Sequence, residues 1–152
     1  MTPEALLAAS GIECELFPSR NRGRIFMSPA RQLFGSHAEL TKARAHSPHY
    51  LGWEAHHVFE KTDLERLDAV AKFPAYEGQL CVLIPSAAHR QRINQVLRSS
   101  NPTGMTASPK DLRLAYETAY SILGNYCGGG ESNIRRELLA IVDATLKHIA
   151  AR

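Results

Sequence analysis

The chain has 152 residues, 44% hydrophobic and 22% charged, which fits one globular domain over 1–152 and lies outside the composition range of disordered chains. Its formal net charge is +3 and its pI about 8.9, which permits a polyanionic partner without requiring one. No apolar run approaches the roughly 20 residues needed to span a bilayer, and the opening MTPEALLAASGIECELF lacks a basic n-region, so neither a membrane partner nor a Sec signal peptide is expected.

Residues 2–10 are predicted to form a short helix, with Thr2 as N-cap and Pro3 in the first turn. Ile12 to Met27 suits two short strands around a polar stretch. Arg20, Arg22 and Arg24 in that stretch suit either phosphate contact or a solvated turn. A helix is expected over 28–45, opened by Ser28-Pro29-Ala30 and weakened by Gly35. After the break at Ser47-Pro48-His49, residues 53–59 (Trp-Glu-Ala-His-His-Val-Phe) read as a strand. Trp53 is expected to anchor it in the core. Thr62 and Glu65 form a capping-box pattern for a helix over 62–72, whose apolar face would be Leu64, Leu67, Val70 and Ala71.

Residues 73–78 form a loop in this reading, and the continuous apolar run Leu80-Cys81-Val82-Leu83-Ile84 is a buried strand ended by Pro85. A helix from Ser86 as cap to about Arg98 would turn Ala88, Ile93, Val96 and Leu97 inward. A polar loop then leads to two helices, about 110–126 and 131–151, joined by Gly128-Gly129-Gly130 as an antiparallel pair in the segment 108–152. Tyr116 and Tyr120 fall at helical spacing and are expected to pack against the last helix, with base stacking by Tyr116, Tyr120 and Tyr126 as the functional alternative. Cys14, Cys81 and Cys127 are far apart with no CxxC pair, which argues against a cysteine zinc site and fits a reducing compartment. Glu60 and Lys61 read as surface charges, and His37, His46 and His49 as surface or loop histidines.

The chemistry-bearing pattern is EAHHVFEK followed by QLCVLIPSAAHRQRIN. Packing its two strands would bring His56 and His57 close to His89 at the start of the following helix, where a helix N-terminus also favours an anion. Neighbouring strand residues point to opposite faces. His56 and His57 therefore either share a cavity at a twisted strand end or divide roles, one inward on a metal and one toward substrate. Neutral histidine is the side chain suited to take a proton near pH 7. The structural alternative is that His56 packs in the core while His57 and His89 bond to backbone carbonyls. Arg90, Arg92 and Arg98 share the helix with His89 and suit phosphate contacts, against the alternative of a solvated helix face.

Ala55-His56-His57-Val58, the strand end Leu83-Ile84-Pro85 and His89 beyond it resemble the HNH, or ββα-metal, nucleases, most closely the AHH-type nucleases of bacterial polymorphic toxins. The resemblance covers about residues 52–98 and implies an α+β fold with a ββα-metal core among further helices. It implies His56 and His89 as metal ligands and His57 as general base in hydrolysis of phosphodiester bonds, with DNA the expected substrate. The implied cofactor is a divalent ion, whether zinc, magnesium, manganese or nickel. A toxin of this type implies a cognate immunity protein, and a cytoplasmic location or delivery without a Sec signal. Two positions depart from the family pattern. Gln79 stands where many members have the Asn that orients the base. Ile93 stands where many have a further ligand, which leaves Glu54 and Asn94 as possible supporting residues. The alternative function is a catalytically degenerate module that binds nucleic acid or metal without cutting.

Overall fold

The computed structural model describes residues 1–17, 24–45, 48–89, 93–100, 108–123 and 131–151, apart from the side chains at 49, 98–100 and 131–133. In chain order these form α1 (Pro3–Ala9), β1 (Glu15–Phe17), β2 (Ile25–Met27), β3 (Leu33–Ser36), α2 (His37–Ala45), β4 (Trp53–His57), α3 (Lys61–Arg66), β5 (Leu80–Pro85), α4 (Ser86–Ala88), α5 (Asn94–Ser100), α6 (Pro109–Tyr120) and α7 (Glu131–Ala150). The fold is α+β. Among the described residues it carries a five-stranded antiparallel sheet in the order β1-β2-β3-β5-β4. That is a larger sheet than the expected two-stranded element. Its extra strands come from β1 and β2, expected as short strands, and from β3, expected as helix.

Strand alternation divides the core in two. Phe34, Val82 and Ile84 face the main core with α1, α6 and α7, whereas Leu33, Cys81 and Leu83 face a smaller core closed by Leu40 of α2. Helices α6 and α7 run antiparallel, as the pairs Arg113–Asp143 and Arg135–Glu117 require. Leu112, Ala115, Tyr116, Ala119 and Tyr120 form the buried face of α6.

The helix expected over 28–45 is a correction. Leu33–Ser36 is a strand, and the helix starts at His37 with the Ser36 hydroxyl accepting from the Glu39 amide at 3.2 Å. Pairing of Phe34 with Val82 overrides local helix propensity there. Gly35 suits the sheet, because a Cβ at that position would stand 3.1 Å from the Arg24 carbonyl oxygen. The helix expected over 62–72 also shortens, to α3 and a 3-10 turn at Val70–Lys72. Thr62 lies inside α3 and Glu60 takes the N-cap position with no side-chain bond, so the expected capping box does not form. Of its expected apolar face Leu64 is buried, but Val70 and Ala71 are exposed, because Asp68 turns the chain with a φ of 53°.

Thr2 caps α1 as expected, accepting from the Ala5 amide. Ser86 does not cap the next helix. The strand β5 runs through Pro85, and the Ser86 amide donates to the Gly52 carbonyl. Where one helix over 86–98 is expected, the described residues are helical, as α4, then π-helical at His89 and Ile93, then α5, and the chain at 90–92 lies outside the described residues. So do most of the arginine stretch at 18–23, the glycine linker, His46, Tyr126 and Cys127. Cys14 and Cys81 are free thiols, Cys81 fully buried. No helix among the described residues is long and apolar enough to cross a membrane.

Candidate functional site

The register places the histidine pair. His56 sits opposite Val82, on the main-core face, and His57 opposite Cys81, on the α2 face. The two imidazoles therefore part to opposite faces of β4, as period-two alternation dictates. Since β4 is the last strand of the sheet among the described residues, those two faces meet along its outer edge.

His56 is fully buried. Its Nε2 lies 2.9 Å from the Tyr120 hydroxyl, which donates its own proton to the Val58 carbonyl oxygen at 2.5 Å. A hydroxyl has one proton to give, so His56 Nε2–H is the donor to Tyr120. Burial pushes the Tyr120 phenol well above its ordinary range, with Glu60 and Asp63 adding to the effect, which keeps that proton in place. The unprotonated Nδ1 of His56 is a buried acceptor with no hydrogen-bond partner. Glu60 Oε1 lies 3.9 Å from it. Burial, then the charges of His89 and His57, pushes the His56 pKa well below the ordinary histidine value, so the ring is neutral at pH 7.

His89 follows α4 directly, and its ring meets that of His56 edge-on at a centroid distance of 4.9 Å. Its Nδ1 contacts Glu54 Oε2 at 2.8 Å. A carboxylate only accepts, so Nδ1 carries a proton, and it is in the uncharged form of the ring that Nε2 offers a lone pair. Glu54 thus lies on the same strand face as His56 and engages His89. The result is two adjacent imidazoles held through opposite nitrogens, His56 by Tyr120 at Nε2 and His89 by Glu54 at Nδ1. Metal-ligating histidines are held in this way by carboxylates and other outer partners. Among the described residues, however, no group of three or more His, Cys, Asp or Glu side chains is gathered to hold a metal ion.

On the α2 face His57 is 5% exposed and its Nε2 donates to the Tyr76 carbonyl at 3.0 Å. Nδ1 is left as the basic nitrogen. Burial lowers its pKa; the Tyr76 hydrogen bond opposes the shift and the charge of His37 reinforces it. The hydrogen bonds of Gln79 go elsewhere than to the His57 ring. Its side-chain amide donates to the Pro74 carbonyl, and its backbone N–H reaches the Tyr76 carbonyl at 3.4 Å. It therefore braces the turn that presents Tyr76 to His57.

Ile93 is fully buried in the main core and offers no ligand, and Asn94 opens α5 half-buried. Arg90, Arg92 and the side chain of Arg98 lie outside the described residues. Trp53 is half-buried, edge-on to Tyr50. The pairing of His57 with a carbonyl and the full burial of His56 match the structural alternative. The bonding of His89 to a carboxylate does not.

Three residues carry more than the sequence reading assigns them. His37 is not a loop histidine but the first residue of α2, half-buried and stacked on His57; the Ser36-His37-Ala38-Glu39 capping pattern signals that position. Glu60 is not simply a surface charge, lying beside His56 with its side chain 28% exposed. Tyr120 packs as expected, yet its hydroxyl sets the His56 tautomer; a tyrosine at core spacing needs a partner for its O–H, which is the available signal.

The chain matches no protein-family model, no curated protein and no solved structure.

Proposed function

We propose that this chain is a metal-dependent endonuclease of the HNH kind, acting on DNA as an antibacterial effector. The observation that carries the reading is the orphaned Nδ1 of His56 beside His89, whose own Nδ1 is held by Glu54. A buried acceptor with no donor is costly, roughly 1–3 kcal/mol, and a cation removes that cost. His56 Nδ1 and His89 Nε2 would hold the ion. Two imidazoles favour a transition ion such as zinc or nickel over magnesium. Glu60 Oε1 and His56 Nδ1 are two acceptors 3.9 Å apart, about the separation of donors that share one ion.

A divalent ion bound there supplies Lewis acidity toward a phosphodiester oxygen. Glu54 and Tyr120 fix the two tautomers. His57, neutral at pH 7 with Nε2–H committed to Tyr76, keeps Nδ1 to take a proton from water. The net charge of +3 suits a polyanionic substrate; the DNA preference, the effector role and an immunity partner rest on the resemblance of residues 52–98.

Plasmid nicking with added zinc, nickel, manganese or magnesium, beside calorimetric metal titration, tests the reading. Hydrolysis is expected with metal and lost with chelator. His57→Ala should lose about a hundred- to ten thousandfold in rate and keep metal binding, whereas His56→Ala and His89→Ala should lose both. A wild type that binds metal without cutting is the degenerate binding module instead, a reading favoured by the buried Ile93 in place of a ligand. A wild type that does neither ends both.

A further inference from the structure

We propose that His37 is a positioning residue for His57, a role that rests on His57 acting as the base. The His57 ring has one hydrogen bond on its Nε2 side, to the Tyr76 carbonyl. One such bond sets the tautomer but leaves the ring plane free to rock about it. The plane is set by packing. The His37 ring lies nearly parallel to that of His57, with centroids 5.1 Å apart and planes inclined by 16°. Tyr76 closes the cluster, 4.1 Å from His57 and 4.9 Å from His37. Nδ1 of His57 is thereby aimed in one direction, which a base needs before it can meet a water.

His37 can do this because it is itself held. Its backbone N–H donates to the Gln79 carbonyl at 3.1 Å, which ties the start of α2 to the residue before β5. The Ser36 cap stiffens the same turn. Its Nδ1 meets Glu77 Oε2 at 3.3 Å, and since the Glu77 side chain is 69% exposed, that pair adds orientation more than strength. The anchor of His37 is thus main-chain, and Gln79 serves both rings: through its carbonyl it holds His37, and through its amides it braces the turn of Tyr76.

The test combines ring dynamics with kinetics on the full chain. Carbon relaxation at His57 Cε1 reports the rigidity of its ring without any assay of activity. The wild-type ring is expected to be as ordered as the backbone, and the ring in His37→Ala measurably looser. In the zinc-supplemented plasmid assay His37→Ala should lower kcat about tenfold or more through misplacement of the base, with KM within about twofold, because His37 acts through His57. His37→Phe keeps a flat ring and should restore both ring order and most of the rate. Glu77→Gln should change either readout little. A His57 ring as rigid in His37→Ala as in the wild type overturns the proposal, and so does a failure of His37→Phe to restore it. Absence of hydrolysis by the wild type overturns the nuclease reading, and the ring measurement then still decides whether His37 holds His57.

Discussion

Replacing Tyr120 by phenylalanine removes one oxygen and strands two buried groups. His56 Nε2–H loses its acceptor, and the Val58 carbonyl loses the donor that the structure gives it. Both residues are fully buried, so water does not take over cheaply. The aromatic ring stays, so no cavity of consequence opens and the loss is almost wholly polar. An unmet buried polar group costs about 1–3 kcal/mol, which for two sums to roughly 2–6 kcal/mol. Against a total stability on the order of 5–15 kcal/mol, this is a large fraction. At about 2–4 °C per kcal/mol for a domain of this size, it lowers Tm by roughly 5–20 °C. Urea titration measures it, with a lower midpoint and an unchanged slope. Loss of the outer partner should also weaken metal binding about ten- to a hundredfold. A destabilisation below about 0.5 kcal/mol, the scale of an ordinary surface substitution, would show that these two bonds are not made and would remove the tautomer argument with them.

The remaining predictions concern charge and packing. In metal-free protein, His56 and His57 have folded pKa values pushed below the unfolded value near 6.5 by burial. The unfolded chain then binds more protons below that pH. Their contribution is fully present above pH 6.5 and is lost as pH falls toward the folded values, at up to about 1.4 kcal/mol per pH unit for each ring. Urea unfolding between pH 5 and 7 should show it, and a flat profile would contradict the burial. Glu54→Gln should weaken metal affinity about ten- to a hundredfold while the fold persists, as read by calorimetry beside circular dichroism. Ile93→Ala should cost about 2–5 kcal/mol in urea unfolding, since Ile93 is fully buried in the main core. A cost near zero there would mean the side chain is not packed.

Much of the local structure was legible in the residues. Thr2-Pro3 marks α1, the run Leu80–Ile84 marks a buried strand, and the spacing of Leu112, Tyr116 and Tyr120 marks the inner face of α6; each signal lies within a few residues of what it specifies. The separation of His56 from His57 was legible as one of two readings, because period-two alternation sends neighbouring strand residues to opposite faces unless the strand twists or ends there; the register with β5 decided it. The helix expected over 28–45 was misread for the opposite reason. Leu33-Phe34-Gly35-Ser36 is a strand because the sheet offers it partners on both sides, β2 just before it and β5 more than forty positions along the chain.

The sequence by itself thus determined an α+β chain with two adjacent histidines on a strand, a third beyond the next strand, and an apolar residue at position 93. Only the tertiary structure decided which nitrogen of each ring is free. That choice depends on partners 64 residues away for His56, 35 for His89 and 19 for His57. It likewise decided that His37 lies on His57, since that contact requires α2 to fold back over the sheet. A tautomer is set by what its ring touches, and what a ring touches across such distances is fixed by packing, not by spacing along the chain.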